Sequence, residues 1–216
     1  MQIPLPNAPP HLWLVRADAE MSTALYEVLS VEERRRADAY RRPADRDTYV
    51  AAHVALRHLL AAYLGVTYDK LALVREPCPT CHAPHGRPAV AGGGLHFSIS
   101  HTGSLALLAF AGTPTGVDIE RIPALRVVAQ VSRSMHPREH EELAQLPSEQ
   151  RPTALARTWV RKEAYLKGLG TGLSRSPHLD YVGNGSSPSM DVSDWTISDI
   201  SIDAAHAAAV AVHCRT

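Results

Sequence analysis

The chain is poor in lysine. Only three of its 22 basic residues are lysines (Lys70, Lys162 and Lys167), so 22 − 3 = 19 are arginines. Cysteine is also scarce, and its count of three is odd, which excludes a fully paired disulfide framework and points to a reducing cytoplasm. No uninterrupted apolar run approaches the roughly 20 residues that a membrane helix needs. The N-terminal stretch, with Pro4, Pro6, Pro9 and Pro10, lacks the basic-then-apolar layout of a signal peptide. Formal net charge is zero, so no global basic excess argues for nucleic acid or an anionic membrane surface as partner.

What is present is ordinary globular material. With 216 residues, 45% hydrophobic and 20% charged, the chain has enough apolar mass for one sizeable domain or two small ones. Residues 12–17 read as an edge strand and Ser22–Leu29 as a short helix. Ser30 with Glu33 forms a capping-box pattern opening a helix to about Tyr40. Pro43 interrupts, and Asp45–Leu64 is helical and closed by Gly65. Residues 71–76 and 95–100 read as strands separated by a Pro/Gly/Cys/His loop, and Leu105–Phe110 as a buried strand. Val117–Ile122 is expected as a strand, Leu125–Arg133, Pro137–Ala144 and Pro152–Leu169 as helices, and Trp195–Ile202 and Ala207–His213 as strands.

Both halves end in an alternating serine-containing strand, a turn and an apolar strand (Phe97-Ser98-Ile99-Ser100; Thr196-Ile197-Ser198-Asp199-Ile200). This weak repeat suggests an α+β fold of two similar halves, 1–113 and 114–216. In that reading each half has a small antiparallel sheet and a long packed helix, with a ligand cleft between them.

The most informative stretch is Trp159-Val-Arg-Lys-Glu-Ala-Tyr-Leu-Lys167, read with Gly116-Val-Asp118-Ile-Glu120. On a helix, Trp159, Glu163 and Lys167 share a face; on a strand, Asp118 and Glu120 point to one side. If the two faces meet, three carboxylates converge beside an ammonium, which suits Mg²⁺ holding a phosphate-bearing substrate. An exposed Glu163–Lys167 pair would be the bland alternative, but two of only three lysines fall in this short segment. Residues 34–46 carry six arginines against Asp38 and Asp45, either a solvated helix face or a phosphate-docking patch; a duplex-binding arm is the weaker reading, as no aromatic interleaving or basic excess elsewhere supports it.

These segments resemble the two-part signature of the 4′-phosphopantetheinyl transferases, and the length resembles the larger, monomeric surfactin-synthetase-activating type. Gly86-Arg87-Pro88 is similar to that family's Gly-Lys-Pro, and Phe97-Ser98-Ile99-Ser100-His101 to its Phe-Asn-x-Ser-His. The resemblance covers roughly residues 30–175. It implies Mg²⁺-dependent transfer of 4′-phosphopantetheine from coenzyme A to a serine of an apo acyl or peptidyl carrier protein. By the same resemblance Asp118, Glu120 and Glu163 bind the metal, Glu163 activates the serine, and Lys167 neutralises the leaving phosphate. Arg42, Arg46, Arg57, Arg87, Ser100, His101 and Lys162 join Lys167 as coenzyme A contacts. The family docks its carrier between Pro123 and Arg151, where Val127, Val128, Val131 and Met135 form either an exposed apolar face or a buried one.

Ser98 stands where the family has asparagine, Arg87 where it has lysine and Thr102 where it commonly has serine. Trp159 is expected to pack in the core. Cys78-Pro-Thr-Cys81 with His85 is half of a zinc site, or else a loop with free thiols. Two other readings therefore stand beside the transferase: a non-catalytic coenzyme A-binding module and a zinc-knuckle interaction protein.

Overall fold

A computed structural model describes residues 3–6, 9–17, 20, 24–189 and 194–214. The expected Ser22–Leu29 helix begins outside the described residues; its described end is a single 3-10 turn, Tyr26–Val28. The chain separates into two compact units, Met1–Val74 with Pro88–Gly112, and Arg75–Arg87 with Thr113–Thr216.

The first unit is built on an antiparallel sheet of β1 (His11–Arg16), β4 (His96–Thr102) and β5 (Leu105–Ala111) in the order β1-β5-β4. Every residue of β5 is buried, as a continuous apolar run in a central strand requires. The register pairs Ser100 with Leu107 and Trp13 with Leu108. Helix α1 (Val31–Asp38) opens on the Ser30/Glu33 capping box. Helix α2 (Pro43–Leu64) takes Pro43 as a first-turn residue, so this proline starts the helix where the sequence reading had it interrupt. It ends on Gly65 at φ 67°, a left-handed cap. Leu56, Leu60 and Tyr63 of α2 pack on Phe97, Leu108 and Phe110 of the sheet, each buried large side chain contributing about 1.5–3 kcal/mol.

Between α2 and β4 lies a two-stranded ribbon, β2 (Leu73–Arg75) with β3 (Pro88–Val90). The sequence pattern places the residues of β3 in a loop. Three residues beginning with proline carry no readable alternation.

The second unit also holds a three-stranded antiparallel sheet. Strand β6 (Thr115–Arg121) leads to helices α3 (Leu125–Val131), α4 (Pro137–Gln145) and α5 (Arg151–Leu169), then to β7 (Trp195–Asp199) and β8 (His206–His213). The sheet order is β6-β8-β7, so in each unit the last strand inserts between the first and the penultimate. Helix α5 lies across β6 and β8, burying Val160, Ala164 and Leu166 against Ile197, Ala209 and Ala211. It ends on Gly170 at φ 84°. Among the described residues, no helix is long and apolar enough to cross a membrane.

Candidate active site

The approach of α5 to β6 is set by glycine. A Cβ on Gly116 would fall 1.9 Å from the Ala164 carbonyl oxygen and 2.4 Å from the Gly168 nitrogen. Both are backbone atoms of α5, so only glycine lets helix and strand touch here. Gly168 is pressed in turn against the Trp195 ring, which a Cβ would meet at 2.5 Å.

This contact brings the helix face of Glu163 and Lys167 down on the strand face of Asp118. Lys167 Nζ donates to Asp118 Oδ1 at 2.6 Å. Asp118 is only 2% exposed, and Glu163 is half-buried beside it. Burial pushes the Glu163 carboxyl above its usual range, the Asp118 charge pushes it further, and Lys167 offsets this only partly. One ammonium thus serves two crowded carboxylates. That excess of negative charge, on hard oxygen donors, fits a divalent cation such as Mg²⁺. Glu120, two residues along the same strand face, lines an open groove of about 430 Å³ together with Val127, Val131, Leu155, Ala156 and Trp159. Trp159 is partly buried and packs against the core below this groove.

The other charged residues of α5 point elsewhere. Lys162 is 1% exposed; it pairs with Glu139 Oε2 at 2.7 Å and donates to the carbonyls of Pro177 and Asp180. Its three N–H groups all meet protein acceptors, which corrects its expected place among the coenzyme A contacts. Being next to Glu163, it lies about 100° around the helix. Arg161, fully buried, grips Asp199 and the carbonyls of Gly183 and Gly185.

In the first unit, the Thr48 hydroxyl bonds Gly103 O at 2.8 Å, tying the start of α2 to the β4–β5 turn. The helix start carrying Arg42 and Arg46 is thereby brought towards the end of β4 carrying buried Ser100 and exposed His101. Arg46 also lies over the Tyr26 ring, 4.9 Å from its centroid. Arg57 differs from expectation: it is buried and bonds Glu33 at 2.6 Å and Tyr68 O at 3.1 Å. Its guanidinium is turned inward, away from any ligand in solvent.

In the second unit, Arg87 pairs with Glu76 at 2.8 Å and donates to Gly168 O at 2.7 Å, holding its loop to the end of α5. The Pro123–Arg151 segment divides between both sequence alternatives. Val128 and Met135 are buried, whereas Val127 and Val131 line the groove. Sequence reasoning assigned nothing to Glu139, yet it is the first-turn acid of a capping box with His136, bonds Val182 N–H and partners Lys162. The His136-Pro-Arg-Glu139 spacing was the available signal.

Comparison with known proteins places the chain in a family. The profile of the 4′-phosphopantetheinyl transferase superfamily matches residues 114–211, which include Asp118, Glu120, Glu163 and Lys167. The chain is 32% identical over 212 residues to the 4′-phosphopantetheinyl transferase HetI of Nostoc sp., covering 94% of this chain and 86% of that protein. It is 28% identical over 170 residues to a putative 4′-phosphopantetheinyl transferase of Synechocystis sp., covering 76% of this chain and 66% of the relative. With the 4′-phosphopantetheinyl transferase Sfp of Bacillus subtilis it shares 30% identity over 79 residues, 37% of this chain and 35% of that protein.

Proposed function

Because the chain belongs to the 4′-phosphopantetheinyl transferase superfamily, we propose that it moves 4′-phosphopantetheine from coenzyme A to a serine of an apo acyl or peptidyl carrier protein. The observation that carries this reading is the Asp118–Lys167 contact at 2.6 Å, beside a Glu163 carboxyl raised by burial and by the Asp118 charge.

In this reaction the serine oxygen attacks the β-phosphorus of coenzyme A and the phosphoanhydride bond breaks. The displaced oxygen leaves on 3′,5′-ADP. Charge builds on the phosphoryl oxygens, so catalysis is mainly positioning and electrostatics. Asp118, Glu120 and Glu163 are the residues that would hold Mg²⁺. When bound, the ion neutralises pyrophosphate oxygens as a Lewis acid. Glu163, whose burial favours holding a proton, accepts the serine proton. Lys167 offers its ammonium to the leaving phosphate. Arg42, Arg46, Ser100 and His101 supply phosphate contacts at the start of α2, where Arg42 makes no side-chain cap bond. The groove lined by Val127, Val131 and Trp159 offers the carrier an apolar seat.

Intact-mass spectrometry of apo carrier proteins incubated with this protein, coenzyme A and Mg²⁺ tests the reading. The expected result is a gain of one phosphopantetheine mass that EDTA prevents and excess Mg²⁺ restores. Asp118→Ala and Glu163→Gln should each lower kcat by about 10²–10³-fold or more, with circular dichroism unchanged. Wild-type turnover in either variant would remove that residue from the chemistry.

A further inference from the structure

One cluster takes no part in the reaction above. In the loop between β2 and β3, one ligand atom each from Cys78, Cys81 and His85 lies within 4.8 Å of the other two. Cys81 Sγ stands 2.9 Å from His85 Nε2. A tetrahedral zinc with bonds of about 2.0–2.3 Å separates its ligand atoms by about 3.5–3.8 Å, so these side chains need only small rotations to close on an ion. Two sulfurs and an imidazole nitrogen form a soft donor set, selective for zinc over magnesium. Among the described residues no other group of His, Cys, Asp and Glu reaches this closeness.

We propose that Cys78, Cys81 and His85 bind one zinc ion, with a solvent molecule as fourth ligand.

The surroundings suit that role. Cys78 is wholly buried, whereas Cys81 and His85 are exposed, so one ligand is anchored and two are open to the incoming ion. Backbone N–H groups of Cys81 and Thr80 are directed at the Cys78 sulfur, holding it on the inner side of the loop. The loop is already folded for the purpose. Cys78 N–H bonds Ala83 O and His82 N–H bonds Cys78 O, each at 2.8 Å, and His82 takes the left-handed conformation at φ 59°. The same loop carries Arg87, which grips Gly168 O, while Cys78 Sγ lies 3.8 Å from Ser174 Oγ just beyond α5. Zinc here would brace the loop against the end of the helix that bears Glu163 and Lys167.

Metal analysis of the full-length protein, purified without chelators and reconstituted with Zn²⁺, tests the site. The expected content is about one zinc per chain, falling at least tenfold in Cys81→Ser and in His85→Ala. Both changes are at exposed side chains, so folding is retained. Cys214→Ser, at the thiol that sits beside Thr196, should keep its zinc. Replacement by Co²⁺ should give the thiolate-to-cobalt charge-transfer absorption and visible bands of a tetrahedral site. Zinc below about a tenth of an equivalent without cobalt bands would overturn the proposal. So would full zinc retention in Cys81→Ser, or a Cys78–Cys81 disulfide in freshly reduced and purified protein. Carrier modification by the wild type is scored separately, so either conclusion can fail alone.

Discussion

Two lysines five residues apart on one helix have different surroundings. Lys167 is part-exposed and pairs with Asp118; Lys162 is sealed in the second unit with Glu139. Burial lowers the Lys162 pKa, and the Glu139 charge recovers part of that shift. Removing one member of such a buried pair strands the other and costs about 3–5 kcal/mol. Lys162→Met should therefore lower stability by that order in urea unfolding, while the folded enzyme keeps kcat within about 3-fold. Lys167→Met should lose about 100-fold in kcat, with a smaller loss of stability than Lys162→Met because Lys167 is part-exposed although it leaves buried Asp118 without this partner. A Lys162→Met protein that is stable but inactive would place this lysine at the substrate after all.

At the scale of elements, the contact of α5 with β6 decides whether a site exists. Gly116→Ala inserts a methyl into backbone atoms at 1.9 and 2.4 Å, and neither partner is a flexible side-chain tip. The expected cost is about 3 kcal/mol or more. Activity of the folded fraction should fall about 10-fold or more, because Lys167 and Glu163 are lifted from Asp118. Wild-type stability and kcat in Gly116→Ala would show that helix and strand have slack there.

These elements also show what could be read beforehand. Helix α2 was legible through Gly65, α1 through Ser30 and Glu33, and α5 through its glycine-rich end, because caps are local and depend on a few residues. The face shared by Glu163 and Lys167 followed from helical spacing. Arg57 was misread because its partner Glu33 is 24 residues away, and no spacing rule spans that distance. The orientation of Lys162 followed from the same rotation that places Glu163, but the buried acid awaiting it, Glu139, depends on how α4 packs. The ribbon strand β3 was hidden by its proline and its length of three.

Over the whole molecule, neutrality conceals charges bound in specific places. Glu33 holds the first unit together through Arg57, His53 and its own helix cap. Burial opposes its ionisation, but hydrogen bonds from His53, the Ser30 N–H and Arg57 prevail and hold its carboxyl at about 2. A folded pKa below the unfolded one contributes stability above the unfolded value, and this is lost as pH falls. Between about pH 4.5 and 2 the loss should be on the order of 3 kcal/mol. Glu33→Gln should flatten that slope when urea midpoints are compared at pH 6, 4 and 3. Hydrogen exchange should show α1 and α2 opening before α5. Parallel slopes in the two proteins would mean that another carboxylate governs acid sensitivity.

The scarcity of lysine also bears on the chemistry of labelling. Arginine does not react with the common acylating reagents, and the ammonium of Lys162 is shut away at 1% exposure. Of the lysines, only Lys70, exposed on its 3-10 turn, and Lys167 remain open to such a reagent. A chain whose cations are mostly arginine therefore offers few lysines to amine coupling. Lys167, paired with Asp118 on α5, is one of its two lysine handles, so tagging or immobilisation through lysine amines would be directed in part at that helix.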